Sequence, residues 1–238
     1  MDNATYATLT RQTGLIDEMQ IIANNIANSG TTGFRAERAL FSEYVNNLGA
    51  DFPSLSMAAA RIADTVAQQG VLEQTNAPFD VAIEGDGFFL VQTPQGERLT
   101  RAGHFGPNQN GDLVTADGYP VLDAGGAPVF VPADAGPVSI GADGVISAGG
   151  QLVGQIGLVV PVDPTRLTRE GGTVFAAPDG FVPAENGRVL QGYLEASNVN
   201  PTLEIARMIA VQRAYELGQS FLDKEDERIR SVMQTMGR

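Results

Sequence analysis

The chain has 238 residues, with 28 acidic against 15 basic side chains, a formal net charge of −13, one histidine, and neither cysteine nor tryptophan. The lack of cysteine excludes disulfide stapling, thiolate zinc sites and thiol catalysis. An acidic chain whose only lysine is Lys224 has no basic run to hold a phosphate backbone, so no nucleic-acid partner is expected. No window approaches the ~20 consecutive apolar residues of a bilayer span. The opening Met1-Asp2-Asn3-Ala4-Thr5-Tyr6 lacks the basic and apolar stretches of a cleavable signal, so neither membrane insertion nor general secretion is expected.

Near the N-terminus, Leu15, Met19, Ile22 and Ile26 recur at helical spacing, with Leu9, Ile16 and Ala23 seven apart beside them. This wide apolar face predicts a helix over residues 3–28. It should stop in Asn28-Ser29-Gly30-Thr31-Thr32-Gly33, where glycine and asparagine favour a left-handed cap. Residues 37–78 read as a connecting segment. Residues 80–192 then hold 21 of the 28 glycines and 10 of the 13 prolines. Short β-prone runs such as Phe88-Phe89-Leu90-Val91 alternate there with Asn110-Gly111 and Asp117-Gly118, dipeptides that supply tight turns. An antiparallel all-β domain over 79–198 follows, with Pro120, Pro132 and Pro161 at strand ends or edges.

The C-terminal segment begins with Asn200 as N-cap, Pro201 at the first helical position and Glu204 in the opening turn. Met208, Val211, Tyr215, Gly218, Leu222, Glu225, Ile229, Val232 and Met236 then step by three and four. That is a coiled-coil period, and a helix over 201–236 would be about 54 Å long. Gly218 and Glu225 interrupt the stripe. The expected fold class is α+β: long, coiled-coil-like terminal helices (1–36 and 199–238) flanking a central antiparallel all-β domain. The two stripes could pair with each other, with copies of themselves, or with a similar helix of another protein.

Catalytic motifs are sparse. No phosphate-binding loop, nucleophile elbow or zinc-protease motif occurs, and Gly85-Asp86-Gly87 lacks the third glycine of a dinucleotide fingerprint. His104 could act as a general base beside Asp112 or Glu97, but no nucleophile is in view. Asn108, Asn110 and Asp112 superficially suggest a calcium loop, yet glycine falls at 111 and no glutamate closes the loop, so a hairpin turn explains them better. A carboxylate pair of the kind used in a secreted β-rich hydrolase, or a glycan-binding module, is the competing class. The absence of tryptophan and the scatter of the other aromatics count against it. No cofactor, metal or small-molecule substrate is expected.

Two asparagine-rich clusters exceed what capping requires: Asn24-Asn25-Ile26-Ala27-Asn28 and Ser197-Asn198-Val199-Asn200-Pro201. With Thr32-Gly33-Phe34-Arg35, Gly85-Asp86-Gly87-Phe88-Phe89, Leu99-Thr100-Arg101-Ala102-Gly103, Asp117-Gly118-Tyr119-Pro120-Val121-Leu122 and Gln212-Arg213-Ala214-Tyr215-Glu216, they fall in an order that resembles the axial proteins of the bacterial flagellum, the rod and hook family. The length and Gly33-Phe34-Arg35-Ala36-Glu37-Arg38 are most similar to the proximal rod type, with the distal rod type as alternative.

The resemblance implies a non-enzymatic subunit for motility. It would be exported by the flagellar type III apparatus without signal cleavage, and would self-assemble in the periplasm with other rod subunits and with itself. On that reading Leu15, Met19, Ile22 and Ile26 form one seam, and Met208, Val211, Tyr215, Leu222, Ile229 and Val232 the other. Asn24, Asn25 and Asn28 would make polar bonds between subunits. The isolated chain is expected to be monomeric, with mobile ends and a folded β domain.

Overall fold

In the computed structural model of the chain, residues 2–46, 55–132 and 136–236 are described, with side chains for 8–39, 64–132 and 136–236. The chain forms two compact units. One comprises Met1–Ala27, Glu37–Val66 and Asn200–Arg238; the other comprises Asn28–Ala36 and Ala67–Val199. The architecture is α+β, with an N-terminal and a C-terminal helix flanking a largely antiparallel β region.

The first unit contains α1 (Asp2–Ala27) and α2 (Pro201–Met236). The start of α2 follows its sequence signals: Asn200 Oδ1 accepts from Leu203 N at 3.2 Å, and Pro201 occupies the position where a missing N–H costs nothing. The helices run antiparallel, because contacts pair late α1 with early α2 (Asn25 with Glu204) and earlier α1 with later α2 (Gln12 with Tyr215). Between α1 and α2 lies a hairpin, Glu37–Asn46 paired antiparallel with Leu55–Thr65, with a register shift between Leu40 and Phe41. Its backbone lies beside α1. The expected connecting segment 37–78 is therefore divided: the hairpin belongs to the helical unit, while residues 67–78 and the post-helix stretch 28–36 belong to the β unit.

In the β unit the largest sheet takes the order Thr168–Gly171, Val174–Ala176, Gly96–Thr100, Phe88–Thr93, Leu158–Pro161, Phe181–Pro183, with Val121–Leu122 also on Phe88–Thr93. Every pairing is antiparallel. The strand Phe88–Thr93 serves two cores, since successive side chains point to opposite faces. Phe89 and Val91 join Val81, Ile83, Phe105, Leu113 and Ile146, whereas Leu90 joins Leu99, Leu122, Val159 and Phe175. Burial on both faces explains why this strand reads as an unbroken apolar run rather than an alternation. The Asn110-Gly111 turn closes the hairpin of Phe105–Pro107 with Leu113–Thr115, with Gly111 at φ +92°.

Candidate assembly face and buried charge cluster

The helical unit brings together most of the sequence-nominated stripe residues, and it does so within one chain. Leu15, Ile22 and Val211 are buried, and Met19, Ile26, Met208, Ala214 and Tyr215 pack around them. Where the sequence left three partners open for these stripes, the structure joins α1 to the first half of α2. Leu222 is half-buried, whereas Ile229 and Val232 are exposed. These two therefore lie outside the intramolecular seam.

The three nominated asparagines separate. Asn25 is buried, and its amide is used inside the chain: Nδ2 donates to Glu37 O at 2.8 Å and Oδ1 accepts from Glu37 N at 2.9 Å. Both bonds fasten the hairpin to α1 within the chain. Asn28 Oδ1 accepts from Thr31 Oγ1 at 3.2 Å, and Asn28 O accepts from Thr31 N, which is local capping. Asn24 lies on the exposed side of α1. The left-handed residue of this segment is Gly33 at φ +70°, not Gly30. A β-carbon at Gly33 would stand 2.3 Å from Ala102 N, so both its dihedral and its close approach require glycine.

Gly218, an apparent flaw in the stripe, has a local reason. Gln12 crosses from α1 and donates its Nε2 to Tyr215 O at 2.9 Å, and a β-carbon at Gly218 would lie 1.9 Å from that nitrogen. Helix α2 also carries apolar residues that the heptad reading passed over. Ile205, Ile209, Leu217 and Phe221 are exposed, Leu217 at 73%. The signal in the sequence is their recurrence at multiples of four, interrupted by Arg213. Met233 and Met236 extend exposed apolar surface to the end of the helix.

In the β unit, the sequence reading missed a buried charge cluster. Glu195, 1% exposed, ends the strand Tyr193–Glu195 and is gripped by two arginines. Arg35 Nε donates to Oε1 at 3.0 Å, and Arg101 Nη1 donates to Oε2 at 3.2 Å. Arg35 Nη2 also stands 3.0 Å from Oε1 but has no hydrogen bond, so Nε carries the interaction. Arg101 Nη2 donates to Gly85 O at 2.7 Å, and its guanidinium lies 5.3 Å from the Phe88 ring. Burial, and next the neighbouring Arg35 charge, pull Arg101 down to about 10, against the opposing pull of Glu195 and Asp86. Arg169 stacks over both Phe34 and Phe175, at 4.3 and 4.6 Å. The cluster therefore anchors the post-helix stretch 28–36 on the β unit.

The candidates for chemistry resolve into structural roles. His104 Nδ1 lies 2.7 Å from Asp80 Oδ1, and that contact involves neither Asp112 nor Glu97. Asn108 Oδ1 accepts from Asn110 N at 2.8 Å and Asp112 N at 2.9 Å, so this side chain builds the hairpin turn. Among the described residues no group of acidic or histidine side chains is placed to hold a metal ion, and no helix is long and apolar enough to cross a membrane.

The helical unit is built on a pair of antiparallel terminal helices, and in the β unit the polar side chains described above make turns and anchor the stretch 28–36. Comparison with known proteins supplies the family. Residues 12–35 match the flagella basal body rod protein family, 82–148 the flagellar hook protein FlgE/F/G D1 domain, and 190–235 the flagellar basal body rod FlgEFG protein C-terminal family. The chain is 40% identical to the flagellar basal-body rod protein FlgF of Caulobacter vibrioides, covering 100% of this chain and 99% of that protein. It is 38% identical to FlgF of Mesorhizobium japonicum and 30% identical to the rod protein FlgG of Bacillus subtilis, each over 98% of both chains. The chain belongs to the flagellar basal-body rod and hook family, whose members are structural rather than enzymatic and assemble with other rod and hook subunits in the basal body. That membership sets aside the hydrolase or glycan-binding alternative.

Proposed function

We propose that the chain is a subunit of the proximal rod, polymerising through its terminal helices into a tubular axial assembly on the periplasmic side. The observation that carries this reading is the apolar surface of α2 outside the intramolecular seam: Ile205, Ile209, Leu217, Phe221, Ile229 and Val232 are all exposed. Exposed apolar surface of this extent marks a contact for another protein. In the assembly it would be covered by equivalent helices of neighbours in a coiled-coil-like layer. Non-closing contacts of this kind build filaments rather than closed oligomers.

Leu15, Met19, Ile22, Ile26, Met208, Val211 and Tyr215 shape the helix pair, and Leu222, Ile229 and Val232 extend it toward the neighbour. Asn24 and Asn28 are offered as polar contacts between subunits, and Asn25 as the internal fastener. Delivery through the flagellar type III apparatus, with the N-terminal segment retained, suits a fold in which α1 supplies half of the helix-pair core. The resemblance to FlgF proteins favours the proximal over the distal rod. Isolation of basal bodies from cells carrying a tagged chain tests the proposal. Recovery of the tag in rods stripped of hook and filament is expected, and its absence from them would overturn it.

A further inference from the structure

The backbone passes between the two units at 27/28, 36/37, 66/67 and 199/200. On the β-unit side, three of these connectors meet in one knot of hydrogen bonds. Asn198 lies at its centre. Its Oδ1 accepts from Ala36 N at 2.6 Å, its Nδ2 donates to Gln68 O at 2.7 Å, and its own N donates to Phe34 O at 3.3 Å. Three residues upstream, Glu195 closes the same circuit. Its Oε1 accepts from Arg35 Nε and from Gly70 N at 3.2 Å, its backbone carbonyl accepts from Gly33 N at 2.7 Å, and Arg35 in turn donates to Ala67 O. Outside the knot, Arg169 stacks on Phe34, and Gln69 bonds Ile83 O and Gly85 N.

We propose that Glu195 and Asn198 form a single latch, and that the stretches 33–36, 67–70 and 195–199 leave the β unit together as one two-state element instead of fraying separately. The reason is shared partners. Lifting 33–36 strips Arg35 from Glu195 and Ala36 from Asn198, and so orphans groups that also hold 67–70. A buried carboxylate stripped of one arginine keeps its desolvation cost while losing its compensation. Networks of this kind are worth more than the sum of their bonds. Regions joined in this way open as one cooperative unit. The latch thus fixes three exits of the chain in mutual register, and a perturbation arriving along one connector is felt by the other two.

Hydrogen exchange on the full chain, comparing Asn198→Asp with Arg35→Lys, tests the latch. Asn198→Asp keeps an acceptor for Ala36 N but loses the donor to Gln68 O, whereas Arg35→Lys keeps the charge but loses the guanidinium's reach to Ala67 O. Both lost bonds end on 67–70, so the deciding amides are those of 33–36 in Asn198→Asp, whose own acceptor is kept, and a latch predicts one footprint in both variants. Amides of 33–36 and 67–70 accelerate by a similar factor, about tenfold or more in each variant, while those of Phe89, Leu90 and Val91 keep their wild-type rates. Separate footprints, with Asn198→Asp loosening only 67–70, would overturn the proposal. So would unchanged exchange in both variants, or acceleration that spreads equally to the Phe89–Val91 strand.

Discussion

At the scale of single residues, Glu195 is a fully buried carboxylate held by two buried arginines. Replacing it with glutamine leaves Arg35 and Arg101 buried without their counter-charge, and removing one member of such a group costs roughly 3–5 kcal/mol. Urea unfolding of the E195Q chain should show that loss with an unchanged denaturant slope. The sign with pH also follows. Burial holds the folded-state pKa of Arg101 at about 10, below its ordinary value, so the unfolded chain binds more protons only from about pH 10 upward, where this group's contribution to stability rises with pH. In the wild type Arg101 should therefore add no pH dependence between about pH 7 and pH 9 and a stabilising one only from about pH 10, measured as urea melts across that range. Gly33→Ala should cost ~1–2 kcal/mol or more, because it meets both a positive φ and the Ala102 backbone. Arg35 and Arg101 stand in family motifs, but their pairing with Glu195 is not legible in the sequence. Arg35, Arg101 and Glu195 lie far apart in sequence, and each alone reads as a surface charge; the one hint is a glutamate closing the apolar Tyr193-Leu194-Glu195 run.

At the scale of elements, the helices were legible and the hairpin was not. The predicted 201–236 matches α2 residue for residue, and 3–28 matches α1 to within one residue at each end, because N-cap, proline and apolar period all point the same way. Leu55–Thr65 contains Ala58-Ala59-Ala60 followed by Arg61, with neither β-branched enrichment nor alternation, so its strand state is set by pairing with Glu37–Asn46 rather than by propensity. The seam supplies a further prediction. Glycine to alanine inside an exposed helix gains ~1 kcal/mol, but at Gly218 the new methyl would displace Gln12 from Tyr215. Gly218→Ala alone should yield little or none of that gain, whereas in a Gln12→Ala background it should approach the full ~1 kcal/mol. A double-mutant cycle by thermal or urea unfolding reads the coupling. Equal gains in both backgrounds would show that the two residues do not interact.

At the scale of the whole molecule, a small number of sequence segments feed two units, and the division between them falls where composition gave no warning. The post-helix stretch 28–36 reads in sequence only as the Gly- and Asn-rich stop of α1, yet Phe34 and Arg35 are buried in the β unit. The family, by contrast, could be read from the order of short motifs along the chain, because those motifs mark both ends and the β region together. The apolar residues of α2 divide into two sets: Val211 with Met208 and Tyr215 inside the seam, and Phe221, Ile229 and Val232 exposed. A chain that kept only the first set would still fold its helix pair. The second set is exposed, and on the proposed reading it is the surface that neighbours cover. The most direct measurement is to produce the F221E, I229E and V232E triple variant in cells lacking the native subunit, checking that it accumulates with its β unit folded, and then to image basal bodies and score swimming. Stalled rods and non-motile cells are expected; complete rods that contain the variant, in cells that swim normally, would contradict the assignment of this surface to assembly.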